Sequence, residues 1–412
     1  MQPVGRRGFL KQFGMTGAGA LVVTSRYGRA VAQPKETIRI GFVAGLTGAF
    51  SGFATDSQRG AALAVEEINA GGGALGKRVE LIVRDDQLNP RVGAQRTREL
   101  IENDKVHFMV GGLAAHVQMA INEQTKKAGM LFISCSMSDE ITAKPDGSRI
   151  TFQESLNPTI NSRAMAEWVA QNLGKKWWVL YADYAWGKQT LAGFARVAEQ
   201  RGVTILGSTP YPLGSSDFSG YLPRIQGAKP EVLMLAAPGV DIENSLKQMT
   251  SFGMKKEMKI AHPLLLLSGR KAAGAEPYAG IYGGMAFYWK LRDTIPSAKK
   301  FVDAYMARYN MAPDTYGGYG YSAVLEIARG IELAKSTDTE AVANALRANP
   351  VYDHYKGKQW WRPCDNKSFQ DQYIVKPRDP GKEEGEWGLF DIIDKIPASE
   401  TADRSCAEKG WA

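Results

Sequence analysis

Histidine and cysteine are scarce in this 412-residue chain, with four of the first and three of the second. His107, His116, His262 and His354 are scattered without metal-ligand spacing, and neither H-E-x-x-H nor G-x-S-x-G occurs. Phosphate loops are missing as well. Gly71–Gly73 follows a helical pattern instead of opening one, and Gly317-Gly318 has no Lys-Ser/Thr ending. Asp85 and Asp86 suggest an acid/base pair, but adjacent residues at a strand end point to opposite sides, so a solvated strand terminus is expected. With no nucleophile, metal cluster or cofactor loop, no catalytic residue, metal or cofactor is assigned. Binding is the better expectation.

Long apolar runs are absent too. The run from Phe13 to Val23 falls short of the roughly 20 residues that span a bilayer. It lies between a twin-arginine pair, Arg6-Arg7, with Gly8-Phe9-Leu10-Lys11 behind it, and a small-residue site, Ala30-Val31-Ala32. Charged start, apolar middle and small-residue end make an export leader, and the paired arginines point to the twin-arginine route. Residues 1–32 are therefore expected to be removed, leaving a periplasmic chain that starts near Gln33. A retained amphipathic anchor is the alternative, weakened because no cysteine follows to carry a lipid. The leader holds five Lys and Arg and no acid, so its loss takes the formal charge from +8 to +3. A near-balanced surface gives no basic face for nucleic acid. Lys175-Lys176 precedes Trp177-Trp178 at a strand head, where the indoles are expected to pack on helices.

Of the three cysteines, Cys135 ends the apolar run Leu131-Phe132-Ile133-Ser134 and reads as a buried free thiol. Cys364 and Cys406, in the polar C-terminal region, are then the pair left to form a disulfide in an oxidising compartment, fastening the tail.

What the chain does have is a long alternation of strand and helix patterns. Ile38–Val43, Val79–Arg84, Phe108–Val110 and Leu131–Ser134 read as strands, separated by helices from about Ser57 to Asn69, Arg91 to Asn103 and Gln118 to Ala128. Gly71-Gly72-Gly73 stops the first helix. A second series follows, with strands at Trp177–Tyr181, Val203–Gly207, Val232–Ala236 and Lys259–Ala261. Its helices run from near Ile160 to Leu173, Gly187 to Arg201, Tyr221 to Gln226 and Ile242 to Phe252. About 380 mature residues exceed one core. The expected class is α/β, with two doubly wound parallel-sheet lobes. Ligands in such sheets bind beyond the carboxyl ends of the strands. The loops at Gly45–Phe53, Gly111–His116, Cys135–Asp139, Ala182–Trp186, Ala237–Asp241 and His262–Leu264 should then converge on one cleft.

The segment Ile38-Arg39-Ile40-Gly41, the loop Gly45-Leu46-Thr47-Gly48, the helix Gly60–Asn69 and Gly71-Gly72-Gly73-Ala74-Leu75-Gly76 resemble the opening of the leucine/isoleucine/valine-binding family. These are type I periplasmic solute-binding proteins of ABC importers. Val110-Gly111-Gly112, Asp183-Tyr184-Ala185-Trp186-Gly187 and Asp217-Phe218-Ser219 extend the likeness over roughly residues 37–380. The resemblance implies two lobes joined by three crossover segments and closing like a hinge on a small ligand. Carried onto this chain, the crossovers fall near Thr151–Gln153, Ala286–Tyr288 and residues 355–360. Lobe 1 would hold 37–153 plus 288–355, and lobe 2 would hold 154–287 plus 356–412 with a C-terminal extension. A permease in the inner membrane is the implied partner, and a monomer the implied state.

Ligand contacts implied by the resemblance are Phe53, Ala114, Ala115, His116, Ser136, Met137 and Ser138 from the first lobe. Tyr184, Trp186, Pro238, Gly239, His262 and Leu264 come from the second, with Tyr319 and Tyr321 as further aromatic candidates. Amino-acid binders of the family carry a serine where this chain has Ala115, and where it has Leu264 a glutamate that meets the ligand's α-ammonium. No Asp or Glu lies from Met258 to Ala275. A buried ammonium without a partner is costly, so the expected ligand is a small carboxylate, aromatic or otherwise lacking an α-ammonium. A branched-chain amino acid or amide/urea binder, and a sensory ligand-binding module, are the alternatives. An enzyme is not expected.

Overall fold

The computed structural model describes residues 36–411, so the expected leader lies outside the described residues. The chain opens with β1 (Ile38–Ala44), whose side chains are nearly all buried, as a central parallel strand requires. α1 (Ser51–Ala70) begins six residues before the expected Ser57, because Gly48, at φ +84°, turns the chain sharply ahead of it. β2 (Val79–Asp85), α2 (Pro90–Glu102), β3 (Phe108–Gly111), α3 (Ala115–Lys127), β4 (Phe132–Ser134) and β5 (Thr151–Gln153) follow. α2 is capped by Asn89, whose side chain accepts from the N–H groups of Arg91 and Val92, with Pro90 at the first helical position.

The second series runs α4 (Pro158–Asn172), β6 (Lys176–Ala182), α5 (Ala185–Arg201), β7 (Thr204–Tyr211), α6 (Leu222–Gly227), β8 (Val232–Ala236), α7 (Val240–Ser251), β9 (Lys259–His262), α8 (Leu267–Ala273), α9 (Ala275–Tyr278) and β10 (Tyr282–Met285). Then come α10 (Pro296–Tyr309), α11 (Thr315–Ala334) and α12 (Thr339–Ala348), which return to the first lobe. The chain ends with β11 (Val351–Tyr352), β12 (Gln359–Arg362), β13 (Lys367–Phe369), β14 (Gln372–Pro377) and β15 (Phe390–Ile396).

Two sheets result. The first has the order β11-β12-β13-β5-β4-β3-β1-β2 and the second β15-β14-β10-β9-β8-β6-β7. The series from β1 to β10 pairs in parallel, as expected. The C-terminal strands make both sheets mixed: β11, β12 and β13 pair antiparallel with one another, and β14 pairs antiparallel with β10 and β15. One expected boundary is corrected. The resemblance puts the third crossing at 355–360 and everything after it in the second lobe, but β12 and β13 belong to the first sheet through the parallel pairing of Lys367 with Gln153. The chain crosses at Gln370-Asp371, beside the crossings at Glu154–Asn157 and Ala286–Tyr288.

Buried side chains tie these crossings together. Lys356 Nζ donates to the carbonyls of Ala286 and Asp371, and Lys367 Nζ to that of Ser155 at 2.7 Å. Burial pushes both lysines down to about 7 and Glu154 up to about 7. The tail then turns back. Arg163 on α4 donates to the carbonyl of Thr401, after which Cys406 is disulfide-bonded to Cys364 in the β12–β13 turn, with Cα atoms 6.2 Å apart. Cys135 is free and buried. No helix of the described residues is long and apolar enough to cross a membrane.

Candidate functional site

The loops that follow β1, β3 and β4 face those that follow β6, β8 and β9 across a cleft of about 270 Å³. Four helices begin at this cleft: α1 at Ser51, α3 at Ala115, α5 at Ala185 and α7 at Val240. None of them has a side chain capping its first turn. Ser51 N–H donates to the Gly48 carbonyl and Asp241 N–H to that of Pro238, and α7 has Asp241 and Glu243 in its first turn. The other leading N–H groups, those of α1, α3 and α5, carry the partial positive charge of a helix start, a setting suited to an anion.

Aromatic rings form the walls. On the first-lobe side Phe50, Phe53 and Tyr316 are in contact, with centroids 4.6 Å apart for Phe50–Phe53 and 4.7 Å for the stacked Phe53–Tyr316 pair. Tyr184 and Trp186 lie opposite, 6.2 Å apart. His116 meets Tyr184 edge-on at 5.9 Å, joining the lobes at the rim. The lobes also touch at Gly239. A Cβ there would come within 2.4 Å of the Ala49 carbonyl, and its φ of +56° favours glycine in any case. Ser268, on α8, donates from both N and Oγ to Asp314 Oδ2 at 2.8 Å, a second clasp between the lobes.

No Lys or Arg is among the lining side chains; Glu243 is the one charged residue there. His262 is neutral. Leu264 N–H donates to its Nδ1 and its Nε2 faces the Ala237 carbonyl at 2.9 Å, so Nε2 carries the proton, and burial pushes the ring down to about 4. Its work is to hold the β8 and β9 loops together. Burial pushes Asp241, behind the Pro238-Gly239 turn, up to about 6. The Cys135 thiol is pushed up by burial and stays protonated, so it is no nucleophile. Among the described residues no group of three His, Cys, Asp or Glu could hold a metal ion.

Ten expected residues meet in this cleft: Phe53, Ala115, Ser136, Met137, Tyr184, Trp186, Pro238, Gly239, His262 and Leu264. Five do not line it. Ala114 is buried as the residue before α3, because the strand exit turns it inward. His116 leans out to the Leu88 carbonyl at 3.2 Å. Ser138 Oγ accepts from Glu140 N–H and so shapes its own turn. Tyr319 is drawn to the hinge, where its hydroxyl accepts from Leu156 N–H at 3.3 Å, and Tyr321 donates to Glu67. Asp86 also departs from expectation. It is wholly buried, accepts from Leu88 N–H, and burial raises it to about 6, while Asp85 accepts from Leu46 N–H and Thr47 to fix the loop before α1.

The sequence patterns missed Phe50, Leu113, Glu243, Ser268, Tyr278 and Tyr316. Phe50 and Leu113 lie within the loops Gly45–Phe53 and Gly111–His116 that the strand ends point to. Glu243 and Tyr278 sit a helical turn or more beyond any strand end and carry no local signal.

Comparison with known proteins agrees with this architecture. Residues 37–382 match the family model described as a periplasmic binding protein. A Leu/Ile/Val-binding protein homolog of Brucella melitensis is 28% identical over 318 residues, covering 75% of this chain and 83% of its own. A periplasmic binding protein from Burkholderia mallei superposes with a TM-score of 0.83 at 25% identity, over 90% of this chain and 97% of its own. Two further structures share the fold. One is a solute-binding protein from Rhodopseudomonas palustris in complex with 3,4-dihydroxybenzoic acid (TM-score 0.77, 22% identity, 88% and 98% coverage). The other is a branched-chain amino acid binding protein from Streptococcus pneumoniae in complex with isoleucine (0.76, 23%, 88% and 99%).

The chain therefore belongs to the periplasmic binding protein family, and its fold is the two-lobed α/β architecture of the solute-binding proteins of ABC transporters.

Proposed function

We propose that this protein is exported by the twin-arginine route and closes its two lobes on a small ring-bearing carboxylate, which it delivers to an inner-membrane ABC permease. The observation that carries the reading is the cleft itself, where the uncapped starts of α1, α3 and α5 meet aromatic walls. Backbone N–H groups take the carboxylate, and the rings around Phe53 and Trp186 take an apolar body by stacking. Closure is favoured only by contacts made with both lobes at once. A structural neighbour binds an aromatic acid of this kind, 3,4-dihydroxybenzoic acid.

Glu243 supports a second reading. It gives the cleft an acid that the loop after β9 lacks, and an α-ammonium could pair with it, as in an amino-acid binder. Another neighbour binds isoleucine. Calorimetric titration of the mature chain separates the two. Micromolar or tighter binding of benzoate with none of leucine, valine or urea is the expected result; binding of leucine alone would establish the second reading instead.

A further inference from the structure

The polar groups of the cleft divide by lobe. The first lobe offers helix N-termini and the hydroxyls of Ser51 and Ser136. Behind the His262 turn, the second lobe offers Glu243 from α7, Ser268 from α8 and Tyr278 from α9. Ser268 is engaged with Asp314. Tyr278 is not engaged: the residue is 0% exposed, it lines the cleft, and its hydroxyl has no hydrogen-bond partner among the described residues. That hydroxyl lies over Gly269, where a Cβ would approach it to 2.7 Å, so the missing side chain leaves room around it. Arg270, a basic group whose charge acts on that hydroxyl, is directed to the Arg378 carbonyl and to Glu383 at 2.9 Å.

A buried hydroxyl without a partner is costly and rare in folded proteins. In a binding cleft such an atom marks where a ligand completes the bond. Glu243 adds the complementary half. Burial holds its carboxyl above the usual range, and the Tyr278 hydroxyl is raised by burial and then by the Glu243 charge, so it stays protonated.

Building on the reading of a ring-bearing carboxylate ligand, we propose that Tyr278 and Glu243 form a second polar subsite that recognises a ligand hydroxyl remote from the carboxylate. The ligand class is then hydroxy-substituted ring carboxylates. A hydroxyl is both donor and acceptor, so it donates to Glu243 while accepting from Tyr278. A second carboxylate could only accept and would face the Glu243 charge. A bare ring edge leaves Tyr278 without its bond, and sites built to hydrogen-bond a substrate hydroxyl discriminate strongly against analogues that lack it.

Calorimetric titration with 4-hydroxybenzoate, benzoate and terephthalate tests this in the wild type, Tyr278→Phe and Glu243→Gln. The wild type is expected to bind 4-hydroxybenzoate at least about tenfold more tightly than benzoate, and terephthalate more weakly than either. Tyr278→Phe, which removes one oxygen, should bring the first two acids to within about threefold, and Glu243→Gln should selectively improve terephthalate. Equal wild-type binding of benzoate and 4-hydroxybenzoate, or a Tyr278→Phe variant that keeps the wild-type ratio, overturns the subsite and leaves the carboxylate reading standing. Failure of all three acids to bind the wild type overturns both.

Discussion

The hinge and the cleft lie side by side between the same two lobes, yet they treat polar groups in opposite ways. In the tail cluster beside the hinge, charges are buried and paired, while the hinge lysines Lys356 and Lys367 are satisfied by backbone carbonyls. Lys409 Nζ, with no exposed side-chain surface, bonds Asp365 at 2.8 Å and Asp403 at 2.6 Å, and Arg362 also bonds both acids. Asp403 accepts in addition from Asn157, the cap of α4, so the tail holds elements of both lobes. In the cleft, helix starts are uncapped and the Tyr278 hydroxyl is free. Polar groups satisfied within the protein hold its shape; those left open are where a ligand can contribute its share of bonds.

The largest expected effect is in the tail cluster beside the hinge. Lys409→Met takes from Asp365 and Asp403 one of the two cations they share, and should lower stability to urea by about 3–5 kcal/mol. A loss below about 1 kcal/mol would mean that the cluster is not a unit. Reducing or removing the Cys364–Cys406 bond should cost less, about 2–4 kcal/mol, since it frees a 42-residue connection in the unfolded chain. Unfolding with and without reductant measures it.

Cleft variants should move affinity instead. Gly239→Ala puts a methyl group against the Ala49 carbonyl, so closure is obstructed and affinity for benzoate should fall roughly tenfold or more, read by calorimetry. If affinity holds while urea stability drops, Gly239 is a folding residue and the contrast between the two regions fails there.

The smallest effect is the pH response of binding. Burial raises Asp241 to about 6, so lowering the pH from 7.5 to 5.5 protonates it and removes a negative charge beside the cleft, while benzoate stays ionised. Affinity for benzoate should rise several-fold. Asp241→Asn should flatten that profile, and a profile that falls with acid would contradict the assignment.

The sequence-based reading was strongest where one strand equals one apolar run. β1, β3, β4, β6 and β8 are such runs, the glycines after α1 end that helix visibly, and the loops at the strand ends follow from the alternation. It failed where burial depends on partners far along the chain. β12 and β13 contain Gln359, Arg362 and Lys367, residues that look like surface, yet they are buried because Glu154, Asp403 and Ser155 lie opposite them. The third crossing was therefore set too early. Glu243 and Tyr278 went unread for a similar reason: only the packing of α7, α8 and α9 brings them to the cleft. The likeness to the leucine/isoleucine/valine-binding family supplied the two-lobed plan, whereas Tyr319, placed in the cleft by expectation, serves the hinge.

The most direct test of the central claim is native mass spectrometry of the freshly purified mature protein, followed by identification of what denaturation releases. A closed two-lobed binder retains its ligand, and the account predicts a small ring-bearing acid without an amine. Release of leucine, isoleucine, valine or an amide would contradict it.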